Sequence, residues 1–441
     1  MNARSIVLTA LERFDKRPGN LERLLEHQMR AVTIDHRDRR FVFEIVYGIV
    51  RNRMRLDFII THFLEDKELA EDRALMRLLQ LGVYQLLYLD RVPDHAAVNE
   101  TVSLAKQAAT TLRFASLVNA VLRKVIASRA RLPQPQADLP LAYRLSIEYS
   151  HPEWLIQRWL TQFGLSKTRK LLAFNNQHPA TFLRRRFRGL ARSAFEAETR
   201  QLCTAVGGFH NLYYRLNQGL DAESLDLVLD GSCVVQAPSS GWAVAMMDVQ
   251  SGQACLDMCS APGGKATLMA ELCGSSGRVY ATELREHRLE LLLETMARQN
   301  LSCIFPIVCD SSQPPFNALF NNVLLDAPCS GTGVMHRHPD ARWIRNLESI
   351  QRITEVQRTL LDAAAQLVAP GGALVYATCS LEEDENQGQV KSFLQRHPQF
   401  SLARPPREVH QQYVTLDGYL SITPYEHDLD GMFAARLVKT A

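Results

Sequence analysis

From about residue 240 to the end of the chain, short apolar runs alternate with amphipathic helical stretches, and this alternation leaves few possible folds. Strands are predicted at "QACLDMC" (253–259), "RVYATE" (278–283), "IFPIVCD" (304–310), "VLLDAP" (323–328) and "ALVYATCS" (373–380). Between and after them, helices are predicted at "GKATLMAELC", "REHRLELLLETMARQN", "ITEVQRTLLDAAAQLV" and "DENQGQVKSFLQRH". Strand–helix–strand units joined this way need crossover connections, so they build a parallel sheet with helices on both faces, a Rossmann-like α/β fold. "GYLSI" and "GMFAARLVK" follow as a closing pair of strands.

The rest of the chain has a different texture. Residues 3–128 read as helix after helix: "FVFEIVYGIVRNRMRLDFII" and "ALMRLLQLGVYQLLYL" repeat apolar residues every three or four positions, and Pro93 marks a short loop. "RLPQPQADLP" (131–140) places three prolines where no helix can continue, which predicts a linker. Residues 141–235 are mixed, with a helix at "HPEWLIQRWLTQFG", strands at "ATFLRRRFR" and "FHNLYYRL", and a helix at "ARSAFEAETRQLCTAV" between them. The expected architecture is therefore multidomain: an all-α region over 1–131, a small α+β linker region over 141–235 and a Rossmann-like α/β domain over 236–441.

Composition narrows the function classes. No stretch has the 18 apolar residues of a membrane span, and the opening "MNARSIVLTALERFDKR" has no apolar core of a secretory signal. Nine cysteines are scattered without a CxxC pair, which points away from a disulfide framework or zinc site and toward a reducing, cytoplasmic setting. Cys255 and Cys259 come nearest to metal-ligand spacing, but no histidine or second pair accompanies them, so no metal is expected. The net charge is only +3, yet residues 1–131 carry 22 Lys and Arg against 16 Asp and Glu. A basic segment joined to a near-neutral one suits a polyanion gripped by one part and processed by another.

In a sheet of this kind ligands bind beyond the carboxyl ends of the strands, and the distinctive polar groups fall there. "CSAPGGK", comprising Cys259, Ser260, Ala261, Pro262, Gly263, Gly264 and Lys265, follows the first strand and leads into a helix. Its glycines let the backbone approach a ligand whose carboxylate can meet free amides. Glu283 ends the second strand, where an acid can grip ribose hydroxyls, and Asp310 ends the third. This set suits S-adenosylmethionine; it has neither the GxGxxG of dinucleotide folds nor the GKS/GKT of a P-loop.

Two cysteines stand where apolar runs stop: Cys329 after Asp326 in "LLDAPCSGTGV", and Cys379 in "LVYATCSLEEDEN". A thiol at a strand end is placed to be partly exposed and activated. The chemistry that uses such a thiol is cytosine C5 methylation. C5 is a poor nucleophile until a thiolate adds to C6, and an acid must hold the N3 and N4 edge of the ring.

These motifs, with "RHPDARW" (337–343), resemble the signatures of RNA 5-cytosine methyltransferases of the ribosomal RsmB (Sun, Fmu) type. "FVFEIVYGIVRNRMRLDFII", "YQLLYLDRVPDHAAVNETV" and "LVNAVLRK" are similar to the NusB-like RNA-binding domain found in front of such catalytic domains. The resemblance implies Cys379 as nucleophile, Cys329 as the cysteine that assists product release, and Asp326 as the acid near both cytosine and cofactor. The cofactor loop falls on Cys259 to Lys265, with Glu283 as the ribose acid and Asp310 in the third motif. Serine at 330 separates the chain from DNA 5-cytosine methyltransferases, whose Pro-Cys motif carries the nucleophile and usually continues with Gln. The expected substrate is small-subunit (16S) ribosomal RNA. A transfer RNA methyltransferase and a non-catalytic RNA-binding assembly factor are the alternatives, and intact Asp326, Cys329 and Cys379 weigh against the second.

Three positions depart from the family pattern: Ala237 where Asp is usual, Ala266 where Thr is usual, and His336 where Arg is common. For RNA grip, "FLRRRFR" (182–188) offers arginines for phosphate and Phe182 or Phe187 for base stacking, and His336, Arg337 and His338 are candidates to line the RNA path.

Overall fold

The computed structural model describes residues 2–30, 32, 34–107, 111–220 and 222–440. They form two compact units: one runs to Gln177 and also takes in Met335–Asn346, and the other comprises His178–Val334 and the chain from Leu347 onward. Among the described residues no helix is long and apolar enough to cross a membrane.

The first unit is helical, as the periodicity predicts. Its helices include Ala3–Lys16, His36–Arg51, Arg53–Phe63, Arg73–Tyr88, Asp94–Gln107 and Ala115–Ala127. Three of them start where a side-chain oxygen caps a free amide: Asn2 accepts from Ser5 N, Asp35 from Asp38 N and Asp72 from Leu75 N, at 2.8, 2.7 and 3.0 Å. Such caps contribute about 1 kcal/mol each. "FVFEIVYGIVRNRMRLDFII" breaks at Asn52, which ends one helix and precedes the next. Ile6, Val46, Ile49, Leu79, Val83 and Leu122 are fully buried in the shared core.

The proline-rich stretch 131–140 is irregular, but the helices after it, Leu141–Tyr149 and Glu153–Asn175, still belong to the first unit. Segment Met335–Asn346 belongs there too, although in sequence it interrupts the second unit. The Arg342 guanidinium, fully buried, donates to the carbonyls of Arg51, Ser150 and Asn175 and to Asn176 Oδ1. Trp343 Nε1 donates to Val50 O at 2.8 Å.

The second unit contains two sheets. The smaller has order β2-β3-β1-β4 and is antiparallel at each pairing, with β1 Phe182–Arg185, β2 Cys203–Gly207, β3 Tyr213–Leu216 and β4 Cys233–Val235. The helix predicted over 191–206 is only half realised. Arg192–Glu198 is helical, but "CTAVG" is strand β2, because pairing with β3 outweighs the local helical pattern.

The larger sheet comprises β5 Ala254–Met258, β6 Arg278–Glu283, β7 Ile304–Val308, β8 Phe320–Asp326, β9 Val368–Thr378, β10 Phe400–Leu402, β11 Leu420–Ile422 and β12 Met432–Lys439. Its order is β10-β12-β9-β8-β5-β6-β7, with β11 beside β12. Strands β5 to β9 pair in parallel as expected. β12 runs antiparallel to β9, β10 and β11, so the sheet is mixed rather than wholly parallel. The chain moves outward from β5 through β6 to β7, then returns to place β8 on the other side of β5. This reversal opens a crevice at the carboxyl ends of β5 and β8.

Candidate active site

The loop after β5 turns sharply. Cys259 has φ +63 and Gly263 φ +101, and a Cβ on Gly263 would stand 2.5 Å from Leu292 Cδ1. A Cβ on Gly264 would lie 2.9 Å from Gln236 Nε2, so both positions need glycine for close packing. Helix Gly264–Cys273 starts here, and its first turn carries Lys265. Lys265 Nζ donates to Asp326 Oδ2 at 2.6 Å, joining the first strand-end loop to the end of β8. Burial works against the ammonium, but the charge and hydrogen bond of Asp326 outweigh it and raise its pKa.

Asp257, within β5, was missed by sequence reasoning. It is fully buried, and neither carboxylate oxygen has a hydrogen-bond partner. Burial, then the charge of Asp326, pushes its pKa well above the carboxylate range, with Lys265 acting in the opposite sense. An acid inside the apolar run "CLDM", one residue from the end of a central strand, was the available signal. Nearby, Ser260 Oγ is buried without a partner. Burial and the negative charges of Asp326, Glu283 and Asp257 push the Cys259 thiol up to about 12.

Glu283 ends β6 and is buried, with Arg288 Nη1 3.2 Å from its Oε2. Asp310 lies beyond β7, exposed, and its carboxylate accepts the Ser312 amide at 2.9 Å, which lowers its pKa.

The two thiols meet. Cys329 Sγ lies 3.1 Å from Cys379 Sγ, and both residues are partly exposed. The hydrogen bond to Cys379, then burial and the charges of Cys379 and Glu385, hold the Cys329 thiol well above its ordinary pKa. Their loops are stacked backbone on backbone: Gly333 N donates to Cys379 O and Gly431 N to Gly333 O, both at 2.9 Å. A Cβ on Gly333 would stand 2.8 Å from Cys379 O and 2.9 Å from Gly431 Cα, which explains glycine at that position.

The expected RNA strand is placed differently from its sequence reading. β1 is an inner strand of the small sheet, and Phe182, Arg184 and Arg185 are buried. Arg184 pairs with Glu271 at 3.1 Å and donates to Thr267, while Arg185 donates to the carbonyls of Arg186 and Leu190. These arginines are internal donors, closed to phosphate. Phe187 is half-buried against His210. His336 is buried edge-on against Phe174 in the first unit, so it lines no open path, whereas Arg337 and His338 are half-exposed.

The departures have local readings. Ala237 occupies the N-cap of helix Pro238–Ala245 and offers no side-chain cap. Ala266 is fully buried, where a methyl fits.

A mixed sheet of this order, with its polar loops gathered at one edge, is the Rossmann-like fold of S-adenosylmethionine-dependent methyltransferases. Three family models match in succession: the NusB family over residues 1–127, the Methyltr_RsmF/B-like ferredoxin-like domain over 151–206, and 16S rRNA methyltransferase RsmB/F over 244–438. The chain is 34% identical to the probable ribosomal RNA small subunit methyltransferase B of Synechocystis sp., with 100% of both chains covered. It is 30% identical to the protein of the same description from Bacillus subtilis, with 99% of each covered. The crystal structure of PH0851 has the same fold, with a TM-score of 0.80 at 24% identity over 100% of this chain and 99% of that one. The chain belongs to the ribosomal RNA small subunit methyltransferase B family, and it is an RNA methyltransferase.

Proposed function

We propose that the protein methylates C5 of a cytosine in 16S ribosomal RNA through a transient bond between Cys379 and C6 of the base. The observation that carries this reading is the contact between the two thiols. Cys329 is 3.1 Å from Cys379 and is held as a thiol, so it is a poor nucleophile and a ready proton carrier beside the sulfur that adds.

The residues around β5 suit S-adenosylmethionine. Asp257 has two buried oxygens free to meet an ammonium, Ser260 has a free buried hydroxyl, and Glu283 is an acid at the strand end where ribose hydroxyls bind. Gly263 and Gly264 let the loop turn tightly against Leu292 and Gln236. When bound, S-adenosylmethionine supplies an electrophilic methyl group.

The chain's own residues perform the remaining work. Cys379 as thiolate adds to C6, which makes C5 electron-rich. Asp326, anchored by Lys265, accepts from the N4 amino group and so holds the ring, while the Lys265 ammonium beside it offsets the negative charge that thiolate addition puts into the base. After transfer, a water molecule takes the C5 proton, the C5–C6 double bond re-forms and the C6–S bond breaks, and Cys329 gives its thiol proton to the departing Cys379 thiolate. A cytosine already looped out of a helix is the cheaper substrate, because unstacking costs a few kcal/mol.

The test is nucleoside mass spectrometry of 16S ribosomal RNA from a deletion strain, before and after incubation with purified protein and S-adenosylmethionine. The expected result is one missing 5-methylcytosine restored in vitro. Identical 5-methylcytosine content with and without the gene defeats the reading.

A further inference from the structure

The residues next to the two thiols share one carboxylate. Glu385 is fully buried, six residues after Cys379, in the turn before helix Gln387–Arg396. Its Oε2 accepts the Ser330 backbone amide at 2.8 Å and Gln357 Nε2 at 3.0 Å. Its Oε1 accepts the Ser380 hydroxyl at 2.7 Å and the Ser330 hydroxyl as well. Ser330 directly follows Cys329, and Ser380 directly follows Cys379. Gln357 Nε2 also donates to Pro328 O at 2.9 Å, so the residue before Cys329 is tied to the same group. Tyr376 donates its hydroxyl to Glu385 O at 2.6 Å, and Asn386 Nδ2 donates to Ser380 O at 2.9 Å.

We propose that Glu385 is a positioning residue that sets the separation of the two thiols by binding Ser330 and Ser380 to a single carboxylate. This rests on the covalent reading above and names what holds its two sulfurs together. Sheet register alone does not fix their spacing. The last register pair of β8 with β9 is Asp326 with Ala377, and both cysteines lie beyond it in loops. One carboxylate taking four donors in a buried setting is rigid, because charge-assisted hydrogen bonds strengthen where water is excluded. Proton exchange at the reacting sulfur needs that rigidity, since a misplacement of about 1 Å costs roughly a hundredfold in rate.

Two full-length variants test this: Glu385→Gln, which presents an NH₂ group to a set of donors, and the double variant Ser330→Ala/Ser380→Ala, which keeps Glu385. Each is oxidised with diamide, a diazene that removes two hydrogens, so that both thiols lose their protons, the sulfurs join and the diazene becomes a hydrazine. Peptide mass spectrometry follows the Cys329–Cys379 bond. Its rate of formation is expected to fall about tenfold or more in both variants. In assays with RNA, kcat should fall while KM for RNA stays within about threefold, and a covalent RNA adduct should accumulate on denaturing gels, since release needs Cys329 in place.

Cross-linking at the wild-type rate in the double variant overturns the proposal, whether or not Glu385→Gln folds. Loss of turnover without accumulated adduct also overturns it, because a merely structural residue would act that way. If the wild-type protein forms neither adduct nor 5-methylcytosine, the functional reading fails, while the cross-linking result still judges the role of Glu385.

Discussion

Lys265 Nζ donates to Asp326 Oδ2 across 2.6 Å, joining the loop after β5 to the end of β8. Lys265→Met keeps the length and removes the charge, leaving Asp326 without its cation. Loss of one charge-assisted hydrogen bond is expected to cost about 2 kcal/mol, roughly thirtyfold in kcat/KM. Methyl-incorporation kinetics measure it. An unchanged kcat/KM would remove this ion pair from the chemistry.

The thiols should fail in different ways. Cys379→Ala is expected to abolish methyl transfer while S-adenosylmethionine still binds, as followed by calorimetry. Cys329→Ala is expected to stop turnover with RNA attached to the protein, visible as a slow band on a denaturing gel. Full activity of Cys379→Ala refutes the nucleophile assignment, and arrest of Cys329→Ala without an adduct refutes the release role.

Asp257 gives a pH signature. Its pKa in the folded protein is raised by burial, so the folded state holds this proton more tightly than the unfolded state. The stabilisation from that proton is complete below the unfolded carboxylate pKa, about 4, and is lost as pH rises through the raised folded value. Asp257→Asn should therefore melt higher than wild type at neutral pH without cofactor, with the gap closing under acid conditions. The same variant should bind S-adenosylmethionine more weakly, since it offers no charge to an ammonium. Equal melting temperatures across pH would show that Asp257 carries no such strain.

Ala237→Asp supplies the cap that helix Pro238–Ala245 lacks. An N-cap carboxylate is expected to add about 1 kcal/mol of stability, seen as a higher urea midpoint at unchanged slope. No change would mean that the loop does not let the side chain reach the free amides.

Arg342→Leu tests the segment Met335–Asn346. Its guanidinium supplies donors to four oxygens of the first unit, at 2.9, 3.1, 2.8 and 2.6 Å. Leucine leaves those buried acceptors unsatisfied, and the expected loss is about 3 kcal/mol. Thermal or urea unfolding reads it, and a loss below about 0.5 kcal/mol would place Arg342 among ordinary surface substitutions.

Much of the site was legible because its marks are local. Pro262, Gly263 and Gly264 announce a tight turn wherever they occur, and Cys329 and Cys379 mark the ends of apolar runs that can only be inner strands. Asp257 was hidden because the same letters describe any acid near a strand end; only the absence of a partner singles it out. Glu385 was hidden in the run "EEDEN", where two acids of four, Glu382 and Glu385, are buried and only contacts far in the chain show that Glu385 receives Ser330 and Ser380. "FLRRRFR" misled in part for the opposite reason: its arginines read as surface, but Arg184 and Arg185 are buried, Arg184 against Glu271 and Thr267, while Arg186 is half-buried and Arg188 is exposed.

By itself the sequence determined the helical first region, the order of strands and helices in the second, and the strand-end placement of Lys265, Glu283, Asp326, Cys329 and Cys379. Periodicity and turn chemistry act over a few residues, so they can be read from the letters. Tertiary structure alone decided the antiparallel pairings of β12, the strand at Cys203–Gly207, the inclusion of Met335–Asn346 in the helical unit, and which charged groups are buried. Those outcomes depend on partners far away in the chain, because a buried polar group is tolerated only where a distant residue, or a ligand, completes its hydrogen bonds.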